Sequence, residues 1–179
     1  MKRVFYILLD GLGDLPCAEL EGKTPLEAAE IPEMDSLAEV GQLGLVYTVK
    51  KGFAPESDVA VISILGYDPF KYHTGRGPIE AVGTGLSMKK GDLALRCNFA
   101  TLGEGGRIVD RRAGRNLTTS EASKLAQAVN SKVKLTSSPA EYVLKNTVGH
   151  RAAMVIRSKV GKLSGKISNT DPAYTQVEG

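Results

Sequence analysis

Near the start of the chain, six consecutive apolar residues, Val4-Phe5-Tyr6-Ile7-Leu8-Leu9, run without polar alternation. Such a run, broken at once by the Gly- and Pro-containing loop Asp10-Gly11-Leu12-Gly13-Asp14-Leu15-Pro16, predicts a strand buried on both faces of a parallel sheet. Thr24-Pro25-Leu26-Glu27 reads as a helix start, with Thr as N-cap, Pro in the first turn and Glu three residues after the cap. A second short helix is expected from Pro32 to Val40, ended by Gly41, and then a strand from Leu43 to Val49. The apolar stretch from Ser57 to Leu65, closed by Gly66, predicts a buried helix with Ser57 as its N-cap.

The second half changes period. Leu93 to Leu102 alternates loosely and meets the turn Gly103-Glu104-Gly105-Gly106 before Arg107 to Asp110, which predicts a hairpin. Thr118 to Asn130 carries the clearest helical pattern: Thr118 and Glu121 form a capping box, and Leu125, Ala128 and Val129 share a face. Lys132 to Leu135, Glu141 to Leu144 and Ala152 to Ile156 are strand candidates around it. The expected fold is therefore α/β: a parallel-sheet segment over residues 1–68, a smaller α+β domain over 69–165, and a linker over 166–179. The division falls in the Gly/Pro-rich stretch from Gly66 to Gly85.

Composition sharpens this picture in two places. The 179 residues are 42% hydrophobic and 24% charged, which excludes a disordered or fibrous chain. Trp is absent and aromatics make up 6%, leaving little to stack on nucleic-acid bases, and no helix-turn-helix, RNA-binding or zinc-finger pattern occurs. Two cysteines, Cys17 and Cys97, cannot make a disulfide framework, and no apolar run is long enough for a membrane span. A cytoplasmic chain with no nucleic-acid or membrane partner is the expectation. The net charge of +3 hides an asymmetry: residues 1–68 hold five Lys/Arg against twelve Asp/Glu, and residues 69–179 hold eighteen against eight. An acidic half suits cations and a basic half suits anions.

Three features could carry chemistry. Asp10 directly follows the predicted strand, where ligands of open α/β sheets gather, and its carboxylate suits a hard cation; capping the Asp-Gly turn is the alternative use. Ser57 at a helix N-terminus sits in a field that favours a phosphoester, though a plain helix cap fits the same position. Arg76, Arg96, Arg111, Arg115 and Arg151 form a set whose planar forks suit a small polyanion, with a solvated basic face as the other reading, above all for Arg112. His73 and His150 are isolated and form no ligand cluster; His150, beside Arg151, is within reach of an anion.

Taken together, these segments resemble the cofactor-independent (2,3-bisphosphoglycerate-independent) phosphoglycerate mutases of the archaeal type, within the alkaline phosphatase superfamily. The pieces that carry the resemblance run in order along the chain. They are Leu8-Leu9-Asp10-Gly11-Leu12-Gly13-Asp14, Gly22-Lys23-Thr24-Pro25-Leu26-Glu27-Ala28-Ala29, and Ser57-Asp58 leading to Leu65-Gly66-Tyr67-Asp68-Pro69. Thr74-Gly75-Arg76-Gly77-Pro78-Ile79-Glu80-Ala81, Arg96-Cys97-Asn98 and Asp110-Arg111-Arg112-Ala113-Gly114-Arg115 follow.

The resemblance implies an alkaline-phosphatase-like domain with a substrate-binding domain inserted after the nucleophile helix. It makes Asp10 a metal ligand and Ser57 a metal-bound nucleophile that passes through phosphoserine, with two divalent cations, Mn²⁺ or Mg²⁺ or similar, completing the site. It makes Arg76, Arg96, Arg111, Arg115 and Arg151 substrate ligands and Asp110 a partner for the glycerate hydroxyls. The implied reaction interconverts 3-phosphoglycerate and 2-phosphoglycerate, a step of glycolysis and gluconeogenesis. Family members are longer, with a second Asp/His metal cluster near the C-terminus; nothing after Asp171 supplies it, and Ala173-Tyr174 stand where a His often follows the Asp-Pro motif. The chain then reads as the N-terminal part of a mutase, completed by a C-terminal segment or another copy. A non-catalytic polyanion-binding module and a related metal-dependent phosphatase are the competing readings.

Overall fold

The computed structural model describes residues 3–171, and these fall into two compact units, residues 1–47 and 48–179, each taken by itself here. No helix among the described residues is long and apolar enough to cross a membrane, and Cys17 and Cys97 are free thiols.

In the N-terminal unit, helix α1 (Pro25–Ala28) starts as its sequence predicts. Thr24 Oγ1 accepts the Glu27 amide at 3.2 Å while Glu27 Oε2 accepts the Thr24 amide at 2.8 Å, a complete capping box. Helix α2 (Pro32–Val40) begins on Pro32 and stops at Gly41, as expected. The strands predicted here do not form: residues 4–9 and 43–49 carry no ladder, and Val4 is 90% exposed. A strand apolar at every position needs partners on both edges and cover on both faces, and the described residues pair nothing with this one. The parallel sheet expected from the sequence is thus not built by the described residues, whose sheets are antiparallel.

The second unit is a mixed α/β structure. Helix α3 (Ser57–Ile64) is followed by α4 (Pro69–Tyr72) and α5 (Arg76–Gly83), so the stretch from Gly66 to Gly85 holds two short helices. Strand β1 (Leu93–Asn98) leads to the hairpin β2 (Thr101–Leu102) and β3 (Ile108–Asp110), then to helix α6 (Thr119–Lys132), β4 (Ala140–Asn146) and β5 (Arg151–Ser158). The main sheet has the order β1-β5-β4, with Leu93 opposite Ile156, Asn98 opposite Arg151, and Asn146 opposite Ala152. Residues 132–135, predicted as a strand, close α6 instead, because Val133 donates its amide to the Val129 carbonyl and ends the helix.

Strand alternation then assigns the faces. Ala94 and Val155 pair across β1 and β5 and pack with Ala81 of α5, so α5 covers one face. Leu144 and Ala152 lie on the other and pack with Ala126 of α6. Asn130 locks α6 to β4 by pairing with both backbone groups of Leu144, at 2.8 and 2.9 Å, as another strand would. On the α5 face the helix approaches β1 closely at Gly77, where an added Cβ would lie 2.0 Å from the Ala94 carbonyl oxygen. Arg96, Asn98 and Arg151 share the parity of Ala94 and Val155, so they stand on the face that α5 crosses and lie toward its Arg76 end.

Candidate anion-binding site

That geometry leaves a cavity of about 670 Å³ where the end of the sheet meets the N-termini of α3 and α5. Arg76, Arg96 and Arg111 line it with Glu56, Asp58, His73, Asn98 and Asp171. A smaller recess of about 100 Å³ lies against it, lined by Arg76, Arg96, Asn98, Arg111, Arg112, His150, Arg151 and Asp171. Four of the five arginines singled out from sequence therefore meet in one place. Arg115 lies outside both linings, and Arg112, read above as free to face solvent, lines the recess.

The cations are brought in by different elements. Arg96 projects from β1, its Nε 3.1 Å from Glu80 Oε1 of α5. The approach lacks hydrogen-bond alignment, so this buried N–H has no hydrogen-bond acceptor among the described residues. Asn98, two residues on, donates from Nδ2 to Asp171 Oδ2 at 3.3 Å while its buried Oδ1 accepts nothing from the described residues. Arg111 follows β3, and Arg151 opens β5 opposite Asn98. The Arg111 turn is made by Asp110, whose two oxygens accept the amides of Arg112 at 2.7 Å and Gly114 at 2.6 Å. Asp110 is thereby engaged in backbone bonds, and Ala113, Gly114 and Arg115 take left-handed conformations at φ 47°, 66° and 55°.

Electrostatics bias the recess toward anions. His150, in the recess lining with five arginines, is held below its usual pKa, first by burial and then by the positive charges of Arg151, Arg115 and Arg96. Cys97, on the opposite sheet face, has its thiol pKa raised by burial and is a packed side chain of the second core cluster.

Ser57 lies outside both linings. Ser57 is the first helical residue of α3, not its cap: Glu56 holds the extended N-cap conformation at φ −70°, ψ 158° without a side-chain capping bond. Glu56 and Asp58 reach the cavity lining, and Ser57 between them does not, since successive helical residues diverge by about 100°. Asp10 lies at an exposed turn of the N-terminal unit. Among the described residues no group of three or more His, Cys, Asp and Glu side chains could hold a metal ion. The described residues alone therefore do not assemble the expected cation pair. The sequence analysis gave no site role to Glu56, Asp58, His73, Asn98 or Asp171, although Asp58 and Asn98 stand in the quoted segments Ser57-Asp58 and Arg96-Cys97-Asn98.

A family model described as 2,3-bisphosphoglycerate-independent phosphoglycerate mutase matches residues 38–179. Proteins of that name from Aeropyrum pernix and Pyrococcus furiosus are 48% and 49% identical over 173 and 172 residues, in each case 96% of this chain and 40% of the relative. The chain thus spans about two fifths of the length of the curated relatives it matches. A solved structure from Pyrococcus horikoshii is 38% identical, with a TM-score of 0.66 over 88% of this chain and 38% of that one.

Proposed function

The chain belongs to the 2,3-bisphosphoglycerate-independent phosphoglycerate mutase family, and from that premise we propose that its arginine-lined recess holds phosphoglycerate for interconversion of the 3- and 2-phospho isomers. One observation carries the reading: buried Asn98 Oδ1 accepts no hydrogen bond from the described residues, and Arg96, whose Nε meets Glu80 Oε1 at 3.1 Å without hydrogen-bond alignment, shares its sheet face with Arg151. A buried polar group left unmade costs free energy, so the pair is poised for a ligand. A bare anion satisfies only the arginine. A phosphorylated hydroxy acid also brings a hydroxyl that donates to Asn98, while carboxylate and phosphate take the guanidinium forks.

In this reading Ser57 is the nucleophile. Its Oγ forms a bond to phosphorus as the bond from phosphorus to the glycerate 3-oxygen breaks, and its proton passes to that oxygen. The reverse transfer, from Ser57 to the 2-oxygen, restores the serine. Support comes from the position of Ser57 in the first turn of α3, where no side chain caps the amides. The arginines hold the glycerate while it reorients, and excluding water keeps the phosphoserine from hydrolysis. Asp10 as a cation ligand, a Mn²⁺ or Mg²⁺ pair, a parallel sheet that includes residues 4–9, domain limits at 68 and 165, and a cytoplasmic setting belong to the same proposal.

Titration calorimetry of the 179-residue chain with 3-phosphoglycerate, against sulfate at matched ionic strength, tests the substrate. Saturable binding about tenfold tighter than that of sulfate is expected from the extra fork and hydroxyl contacts, weakening as salt rises. Equal affinity for the two ions overturns the substrate assignment in favour of a general polyanion surface.

A further inference from the structure

We propose that Asp58 is a positioning residue for anion binding: it holds Arg76 by the Nε edge and leaves the two terminal guanidinium nitrogens for the ligand. The inference rests on the arginine-lined recess being an anion site; Asp58, with Glu56 and Asp171, lines the adjoining cavity that shares Arg76 with it. By Coulomb's law Asp58 repels the ligand it borders.

The contacts explain its presence. The Asp58 side chain is only 8% exposed, and each oxygen has its own partner. His73 Nε2 donates to Oδ2 at 2.5 Å, and Arg76 Nε donates to Oδ1 at 3.2 Å. Burial pushes the Asp58 pKa up, but the hydrogen bonds from His73 and Arg76 outweigh it and hold the carboxyl below its ordinary value. Three segments meet on this carboxylate: the first turn of α3, the residue after α4, and the first residue of α5. His73 fixes one oxygen, so the other presents a set direction to Arg76.

Arg76 Nε also lies 3.1 Å from Glu56 Oε2, but Glu56 is half exposed and free to move, so it anchors weakly. Both acids engage Nε. An arginine held this way keeps a two-pronged edge for phosphate or carboxylate, without the rotamer entropy that a loose side chain loses on binding.

Charge and positioning predict opposite signs for one substitution. If Asp58 only repels, Asp58→Asn tightens 3-phosphoglycerate binding; if it positions Arg76, Asp58→Asn weakens it, by about tenfold for one lost charged hydrogen bond. A double-mutant cycle separates positioning from general damage: in an Arg76→Ala background, Asp58→Asn should cost less than twofold. A second arm needs no ligand. The Arg76 Nε–H resonance of the 179-residue chain should be protected from solvent exchange, and Asp58→Asn should remove that protection while circular dichroism stays unchanged. Tighter binding by Asp58→Asn, an equal loss in the Arg76→Ala background, or unchanged Nε–H protection overturns the proposal. Absence of 3-phosphoglycerate binding by the parent chain would sink the substrate reading alone, and the resonance would still decide the role of Asp58.

Discussion

Arg111 and Asp171, 60 residues apart, are joined side chain to side chain: Arg111 Nη1 donates to Asp171 Oδ2 at 2.9 Å and to Oδ1 at 3.2 Å. Asn98 Nδ2 adds a third contact to the same carboxylate. A protein carboxylate thus sits on donors that an acidic ligand would use. Asp171→Asn should tighten 3-phosphoglycerate binding about fivefold, the scale of a partly exposed ion pair no longer in competition. Calorimetry reads this directly, and weaker binding by the variant would show that Asp171 orients Arg111 rather than competing for it.

The arginines should differ among themselves. Arg111 lines both cavities, so Arg111→Lys, which keeps the charge and loses the planar fork, should weaken 3-phosphoglycerate binding about tenfold. Arg115 lies outside both linings, and Arg115→Lys should change affinity by less than about twofold, since its charge still acts at a distance. Equal losses in the two variants would place Arg115 on the ligand.

Gly77 is where helix α5 meets strand β1 at backbone distance. A Cβ there would stand 2.0 Å from the Ala94 carbonyl oxygen and 2.9 Å from the Leu95 nitrogen, and neither is a flexible group. Gly77→Ala should cost about 3 kcal/mol, the upper range for overpacking, because the helix must lift off the sheet. Urea denaturation measures it, and Gly83→Ala, with open space around its Cβ, is the control on the same helix.

Local signals explain what was legible in the sequence. The capping boxes of Thr24 with Glu27 and Thr118 with Glu121 and the stop at Gly41 depend on neighbours within a few positions, and all form; of the predicted hairpin of Leu93–Leu102 with Arg107–Asp110, only Thr101–Leu102 pairs with Ile108–Asp110, while Leu93–Asn98 pairs with β5. The strands at 4–9 and 43–49 depend on partners elsewhere, so an apolar run announced burial without specifying against what. Arg76, Arg96, Arg111 and Arg151 could be flagged by residue type. Asp58, Asn98 and Asp171 could not, because their roles arise only when the register opposes Asn98 to Arg151 and α5 crosses β1. Asp110, which the resemblance makes a partner for the glycerate hydroxyls, also accepts two backbone amides and so shapes a left-handed turn that residue type alone does not announce.

The pair formed by Asp92 and Arg157 gives the pH prediction. Arg157 Nε donates to Asp92 Oδ1 at 2.9 Å and Nη2 to Oδ2 at 2.6 Å, a two-pronged fork, while the Lys89 amide donates to Oδ2 at 2.7 Å. The Arg157 and Lys89 hydrogen bonds lower the Asp92 pKa from the ordinary 3.8 to about 2. A carboxyl depressed in the folded state adds stability that is fully present above the unfolded value and is lost as pH falls through the folded one. The contribution should therefore hold from neutrality to about pH 4 and disappear between about pH 4 and pH 2. Arg157→Gln removes the charged fork and returns Asp92 toward 3.8. Urea midpoints of parent and variant should differ at pH 7 and converge as pH drops through that window, the difference shrinking in high salt because Arg157 is partly exposed. A gap that persists unchanged to pH 2 would mean that Arg157 stabilises β5 by packing its stem, not by its charge on Asp92.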